Sequence, residues 1–315
     1  MKLVFCGTPQ FAVPTLEALL SAGHEVSLVV TQPDRLVGRK QELHAPPVKQ
    51  MAAARGLRVS QPDKIRTNLE FQTLLAELAP SAIVVVAYGR ILPPWMLQLP
   101  SLGCINLHGS LLPKYRGAAP IQWAIAQGEQ RTGNTTMLLE EGLDTGPILM
   151  QQTISIAPEQ TAVELFEQLA EVGASLVVET LAGLESGTLK PHPQIHQEAS
   201  LAPMLTREDG IMDFAACTAT ELKNRWRGFQ PWPGASTFIA GKKLIVHRLA
   251  VCDAPIDQAP GMVCIQENRI VVGCANHTAL ELVEVQLEGK KRMTGAEFLR
   301  GTVWADGTRL GRLTA

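Results

Sequence analysis

Apolar positions in roughly the first 190 residues follow two alternating patterns. Short apolar runs, Leu3 to Cys6, Val26 to Val30, Ile83 to Ala87 and Cys104 to Leu107, read as strands, and the β-branched, uninterrupted Ile83 to Ala87 reads as one buried on both faces. Between them, apolar residues recur at helical spacing. Leu16, Leu19 and Leu20 precede Gly23, Pro47 to Arg55 precede Gly56, Leu69 to Leu78 precede Pro80, and Ala118 to Ala126 follow the fourth run. Thr135 to Leu139 adds a strand. Thr161, with Glu164 after it, marks a capping box before a helix that reaches about Leu184. Repeated β-α-β of this kind predicts an α/β fold with a mostly parallel sheet covered by helices.

From about Lys190 the pattern breaks down. PHPQIHQEASLAP is polar, contains Pro and lacks periodicity, so residues 190–207 read as a linker. One helix, Ala219 to Arg227, follows. Strand-like runs then come at Ser236 to Ile239, Leu244 to Val251, Gly261 to Ile265, Arg269 to Val272 and Leu280 to Val285. Short strands at this density predict a small barrel or sandwich over 208–315. Two domains also suit a 315-residue chain, given about 150 residues per domain.

Composition narrows the class. With 46% hydrophobic and 18% charged residues, the chain is not a disordered one. No apolar run approaches the roughly 18 residues that cross a bilayer. The opening MKLVFCG lacks the length and cleavage site of a secretory signal, so a cytoplasmic chain folding from Met1 is expected. The six Cys are scattered without a C-x-x-C pair; reduced thiols and no zinc site are expected. Net charge is −2, but residues 1–189 hold 13 basic and 17 acidic side chains, and residues 190–315 hold 15 and 13. The sign suits a C-terminal part facing phosphates, and a difference this small also arises by chance.

Ligands of doubly wound sheets bind beyond the carboxyl ends of the strands. The first strand ends in GTPQF, and the chain contains neither G-x-G-x-x-G nor G-x-x-x-x-G-K-[ST]. That disfavours the usual dinucleotide and nucleoside-triphosphate enzymes. The richest strand end is Cys104 to Ser110. There Asn106 and His108, two apart, share one side, while Leu107 points into the packing layer. Both side chains can donate to an oxygen that turns negative in a tetrahedral intermediate. A lone His closing a strand would be unremarkable; the flanking Gly109, Ser110 and RGAAP favour chemistry. Asp144, in EEGLDTGPIL, either orients the imidazole or caps a turn, and spacing alone leaves the two even.

Two basic regions complete the inventory. The long loop Thr31 to Lys49 carries Arg35, Arg39, Lys40 and Lys49 against Asp34 and Glu42. Composition alone reads it as a solvated loop, with contact to an RNA end as the functional alternative. In the C-terminal part, Lys223, Arg225, Arg227, Lys242, Lys243, Arg248, Lys290, Lys291 and Arg292 accompany Trp226, Phe229 and Trp232. Basic residues with aromatics on a small β domain fit nucleic-acid contact. The aromatics also fit an interdomain plug, which is the expectation for Trp232.

The segments NLHGSLLPKYRGAAPIQWAI, GLDTGPIL, QPDRLVGRKQELHAPPVK, VVVAYGRILP and FQPWPGAS resemble the methionyl-tRNA formyltransferase family, and the likeness runs the whole length. SLLP-x-x-RGAAPI is specific to folate-dependent formyltransferases, and the basic loop narrows the match to the tRNA enzymes. The resemblance implies a Rossmann-like formyltransferase domain over 1–189 and an OB-like, tRNA-binding β-barrel over 208–315. It implies formyl transfer from the cosubstrate 10-formyltetrahydrofolate to the amine of initiator methionyl-tRNA, without a metal or a membrane partner; a monomer is expected. It implies Asn106, His108 and Asp144 as a catalytic trio. It puts folate at Ser110, Leu111, Leu112 and Pro113, with Val86, Tyr88 and Gly89 lining the pterin pocket. It puts the tRNA acceptor stem near Arg35, Arg39 and Lys40. Lys114-Tyr115 departs from the frequent Arg-Trp, and Leu138 stands where an aromatic, Val or Gln is preferred. The rival readings are a nucleotide-sugar formyltransferase, a folate hydrolase and a non-catalytic RNA-binding protein.

Overall fold

The apolar runs become the centre of a seven-stranded sheet. Its strands come from β1 (Lys2–Gly7), β2 (Glu25–Val30), β3 (Arg35–Val37), β4 (Glu42–His44), β5 (Val59–Ser60), β6 (Ala82–Val86), β7 (Cys104–His108), β8 (Arg131–Leu138) and β9 (Ile148–Ser155), with β3 and β4 set apart as a hairpin. The order is β5-β2-β1-β6-β7-β8-β9; the first five run parallel, and β8 and β9 are antiparallel. The structure, a computed structural model, describes residues 1–38, 41–253, 257–301, 304 and 307–311.

Every residue of β6, AIVVV, is buried, as a strand covered on both faces requires. Alternate residues Val4, Cys6, Leu28, Val30, Ile83 and Val85 join one core with Phe71 and Leu75. Each such large side chain contributes roughly 1.5–3 kcal/mol when withdrawn from water. The helices of this region are α1 (Val13–Ser21), α2 (Pro47–Ala54), α3 (Leu69–Leu78), α4 (Pro94–Leu97), α5 (Pro120–Ala126) and α6 (Ala162–Glu185). The Asn68 side chain starts α3 by accepting from the Phe71 N–H. Gly173 of α6 lies so close to Leu107 that a Cβ there would sit 2.7 Å from Leu107 Cδ2. Leu107 therefore faces α6. By strand alternation, Asn106 and His108 face the other way.

Contacts divide the chain into two units. The first is Met1–Ile121, Arg131–Ser155 and Glu164–Pro203; the second is Gln122–Gln130, Ile156–Val163 and Met204 onward. Most of the expected linker thus belongs to the first unit. His192 and Ile148 exchange two backbone hydrogen bonds of 2.8 Å. Further on, Arg116 N–H donates to Ser200 O (2.8 Å) and Ala202 N–H donates to Arg116 O (2.7 Å). The segment 192–202 is a strap bonded to distant loops, and its lack of periodicity reflects pairing with loop backbone rather than freedom.

The second unit holds α7 (Ala219–Gly228), β10 (Ala235–Ile239), β11 (Lys242–Val251), β12 (Val263–Gln266), β13 (Arg269–Gly273), β14 (Ala279–Leu287), β15 (Met293–Thr294) and α8 (Gly295–Gly301). The strands form an antiparallel sheet in the order β10-β11-β14-β13-β12, with β15 on β14. Leu244, Val246, Val263, Ile270, Val272, Leu280, Leu282 and Val285 supply its core with Leu222 of α7 and Phe298 of α8. Thr218 and Glu221 form a reciprocal capping box at the start of α7.

Several basic residues expected to meet nucleic acid serve this unit internally. Lys223 pairs with Glu159, and Arg292 with Glu284. Arg225 stacks over Phe229 at 5.2 Å and donates to Asp209 O. Arg227 is buried, donating to Ala157 O, Gln160 O and Asn224 Oδ1. Phe229 is buried against Trp123. Trp232, expected to be a plug, is 52% exposed.

Candidate active site

Strand register builds the site. Val85 pairs with Asn106 and Val86 with Leu107, so the turns leaving β6 and β7 start side by side. On the other flank, His108 pairs with Thr135 of β8. Asn106 is half-buried, and its side chain has no hydrogen-bond partner among the described residues. His108 is 6% exposed. Its Nε2 lies 2.9 Å from the Tyr115 carbonyl oxygen. A carbonyl can only accept, so Nε2 carries the hydrogen.

Asp144 reaches the same ring. Its Oδ2 is 3.7 Å from His108 Nδ1 and also accepts the Gly117 N–H at 2.8 Å. At 3.7 Å the carboxylate and ring form an ion-pair contact longer than a hydrogen bond. Both ring nitrogens thus face oxygens, Nε2 as a donor and Nδ1 across the longer contact. Asp144 holds φ of +50°, in the left-handed region that few non-glycine residues occupy, though aspartate and asparagine enter it more readily than most. The loop strands this carboxylate beside the ring rather than using it to cap a turn.

The sequence placed Asn106 and His108 as equal donors to one oxygen. The structure distinguishes them. The Asn106 amide is uncommitted, whereas His108 Nε2 is turned to a backbone carbonyl.

The other expected site residues line the neighbouring turns. Ser110 is fully buried, and its hydroxyl donates to Lys114 O at 2.7 Å, closing its own turn. Thr135 Oγ1 donates to Ser110 O (2.7 Å) and accepts the Leu112 N–H (3.1 Å), while Gln151 Nε2 donates to Leu112 O (2.8 Å). Leu112 is buried; Leu111 and Pro113 are half-buried. On the β6 side, Val86 and the Tyr88 ring are buried, and Gly89 is exposed. Burial pushes the Tyr88 phenol well above its ordinary value. Its carbonyl accepts from Thr8 Oγ1 (3.1 Å) and Gln32 Nε2 (3.0 Å), which fixes the turn.

In the basic loop, Arg35 is exposed on β3, opposite His44 of β4. Leu36 and Leu43 pair on this hairpin and are 59% and 66% exposed. Lys49 anchors its root, donating to both Asp34 oxygens at 2.7–2.8 Å, and Gln61 donates to Asp34 Oδ1. These bonds hold the Asp34 carboxyl below its ordinary value. Arg39 and Lys40 lie outside the described residues.

Cysteine chemistry is disfavoured. Burial pushes the Cys104 and Cys274 thiols up to about 12 and raises Cys6 as well, so none offers a thiolate near neutral pH. Sequence reasoning missed the partners of the site: Tyr115, whose carbonyl meets His108, and Gln194 and Arg116, a buried pair 78 residues apart. The RGAAP motif contained one of them. No local signal marked Gln194.

The Formyl transferase family description matches residues 1–181, and its C-terminal domain counterpart matches 204–303. Over 311 residues the chain is 61% identical to the methionyl-tRNA formyltransferase of Acidobacterium capsulatum, covering 99% of this chain and 100% of the relative. The chain belongs to the methionyl-tRNA formyltransferase family. Its fold is that of other formyltransferases too. WlaRD, a sugar 3N-formyl transferase solved with dTDP and 5-N-formyl-THF, superposes with a TM-score of 0.63 at 18% identity, covering 92% of this chain and 99% of that one. The N-formyltransferase of Helicobacter canadensis, solved with folinic acid and dTDP-3-aminofucose, gives 0.65 at 19%, covering 90% and 98%. Membership makes the chain a formyltransferase, and the site at β7 is where its chemistry is sought.

Proposed function

We propose that the chain transfers the formyl group of 10-formyltetrahydrofolate to the α-amine of initiator methionyl-tRNA, with Asn106, His108 and Asp144 as the reacting constellation. The observation that carries this reading is the approach of Asp144 to the His108 ring at the free end of β7, beside the uncommitted amide of Asn106.

An α-amine has pKa about 7.7–8.0, so a useful neutral fraction exists near pH 7. Its nitrogen attacks the formyl carbon, and the carbonyl oxygen becomes negative. Asn106 donates to that oxygen. His108, held between Tyr115 O and Asp144, supplies positive charge beside it. Asp144 accepts the proton that the amine sheds, directly or through a water. The bond to the folate nitrogen then breaks, and that nitrogen takes a proton as it leaves. In this reading folate lies along Ser110 to Pro113 and the Val86–Gly89 turn, and the acceptor stem lies near Arg35, Arg39 and Lys40.

Formyl-transfer assays test this with three acceptors: initiator methionyl-tRNA, elongator methionyl-tRNA and an amino-sugar nucleotide. Turnover is expected with initiator methionyl-tRNA and far above that with the other two. Preference for the sugar nucleotide would overturn the acceptor assignment. Release of formate without any acceptor would mark a hydrolase.

A further inference from the structure

Gln194 lies 50 residues from Asp144 in sequence and is buried beside it. A side-chain amide has two N–H donors and an oxygen with two lone pairs. Here all are used. Nε2 donates to Asp144 O at 2.8 Å and to Gly146 O at 2.7 Å. Oε1 accepts from Arg116 Nε at 3.1 Å and Nη2 at 2.6 Å. The guanidinium fixes which way the amide faces. Flipped, it would set its NH2 against two N–H donors and its oxygen against two carbonyls. Arg116 is also buried, donates to His196 Nδ1 at 3.2 Å, and has its backbone paired to the strap.

We propose that Gln194 is a positioning residue for formyl transfer. It clamps the backbone on both sides of Thr145 and so holds the Asp144 carboxylate at its distance from His108. The inference rests on reading Asp144 as the proton-accepting carboxylate. The need for a clamp follows from the loop. Asp144 occupies a left-handed conformation that surrounding structure must impose. The same strap fixes the other neighbour of the ring. Tyr115 N–H donates to Ser200 Oγ at 2.9 Å, and the Arg116 backbone pairs with Ser200 and Ala202. That pairing places Tyr115 O on Nε2 and the Gly117 N–H on Asp144 Oδ2. Both oxygens facing the His108 ring are therefore set from residues 194–202.

Glu at position 194 would keep the size and still pair with Arg116. It has no N–H for the two carbonyls, so two attractions become two repulsions. Met would remove the polar contacts without adding a charge. A displacement of about 1 Å at a reacting group can cost roughly 100-fold in rate.

The experiment uses the full chain with Gln194→Glu and Gln194→Met, each alone and combined with Asp144→Ala. It reads kcat, the KM for donor and for methionyl-tRNA, the pH dependence of kcat, and thermal unfolding. Both single variants are expected to fold and to lose about 30- to 100-fold in kcat, with each KM within about threefold and the pH profile displaced. In the Asp144→Ala background the same substitutions should change kcat by less than about threefold, because their effect runs through Asp144. Near-normal kcat in both single variants overturns the inference. So does a loss that persists undiminished in the Asp144→Ala background, or failure of both variants to fold, since either makes Gln194 a residue of the fold alone. Near-normal kcat in Asp144→Ala by itself overturns the reading of Asp144, and this inference with it.

Discussion

The ends of β7 and of β2 both feed polar loops, yet the two are built in opposite ways. Around His108, side chains are buried and their partners lie far along the chain: Ser200 is 85 residues from Tyr115, and Gln194 is 78 from Arg116. The hairpin of β3 and β4 is made by neighbours. Arg35, Leu36 and Val37 pair with His44, Leu43 and Glu42, its described tip is exposed, and Lys49 and Gln61 tie down only the root at Asp34. The contrast teaches what each can do. A buried, cross-braced ring can hold reacting atoms to fractions of an ångström. An exposed basic hairpin acts through charge, which is long-ranged, tolerant of position and weakened by salt.

The sharpest way to break this contrast is at the ring. Asn106→Ala should lower kcat by roughly 100- to 1,000-fold, the cost typical of one missing oxyanion donor, and His108→Ala, which removes the ring beside that oxygen, by a comparable factor. Circular dichroism should stay unchanged. Turnover near the parent rate in either variant would remove the chemistry from this strand end.

A pair of glycines sharpens it next. Gly117 has φ of +122°, and a Cβ there would sit 2.7 Å from Ala202 O; Gly38, in the hairpin, has φ of +74° and nothing within 4 Å. Gly117→Ala should cost both strain and a broken strap, about 2–3 kcal/mol or more by urea unfolding. Gly38→Ala should cost about 1 kcal/mol. Equal costs would mean the strap is not braced as described.

At the hairpin, Arg35→Ala should raise the KM for tRNA about three- to tenfold and lower the slope of log affinity against log salt by about one, with kcat unchanged. A fall in kcat without a change in salt slope would move Arg35 from charge steering to the chemistry. The smallest effect concerns pH. Bonding to Lys49 lowers the Asp34 carboxyl in the folded chain, so its contribution is complete above the ordinary carboxylate value near 4 and fades as the pH falls through its own lowered value. Protease nicking of the hairpin should rise over that interval and lose its pH dependence in Asp34→Asn. Nicking that rises equally in the variant would detach the root from this ion pair.

What was legible in the sequence follows the same division. Strands and helices of the first unit were readable because burial on both faces leaves uninterrupted apolar runs, as in AIVVV of β6. Asn106 and His108 were readable because alternation along a strand is local. The edge strand β9 was not: half of ILMQQTIS is exposed, one residue is buried, and it shows no clean alternation. Residues 192–202 read as a linker in the sequence because their order comes from hydrogen bonds to loops 113–119 and 144–148, and no periodicity records such pairing. The basic set of the C-terminal unit was over-read, since composition cannot show that Arg227 and Lys223 are spent on Gln160 and Glu159.

The strap also imposes a timetable on synthesis. A ribosome that has released the first 189 residues has already made Asn106, His108 and Asp144, but not Gln194, Ser200 or Ala202. Domains fold as units while they emerge. The nascent α/β layer can therefore assemble its sheet and still lack the braces of the loops that carry Tyr115 and Asp144. Those arrive with the dozen or so residues that follow, just ahead of the main segment of the second unit. Truncation at the apparent domain end would yield a folded sheet in which the side chains proposed to react had lost their frame.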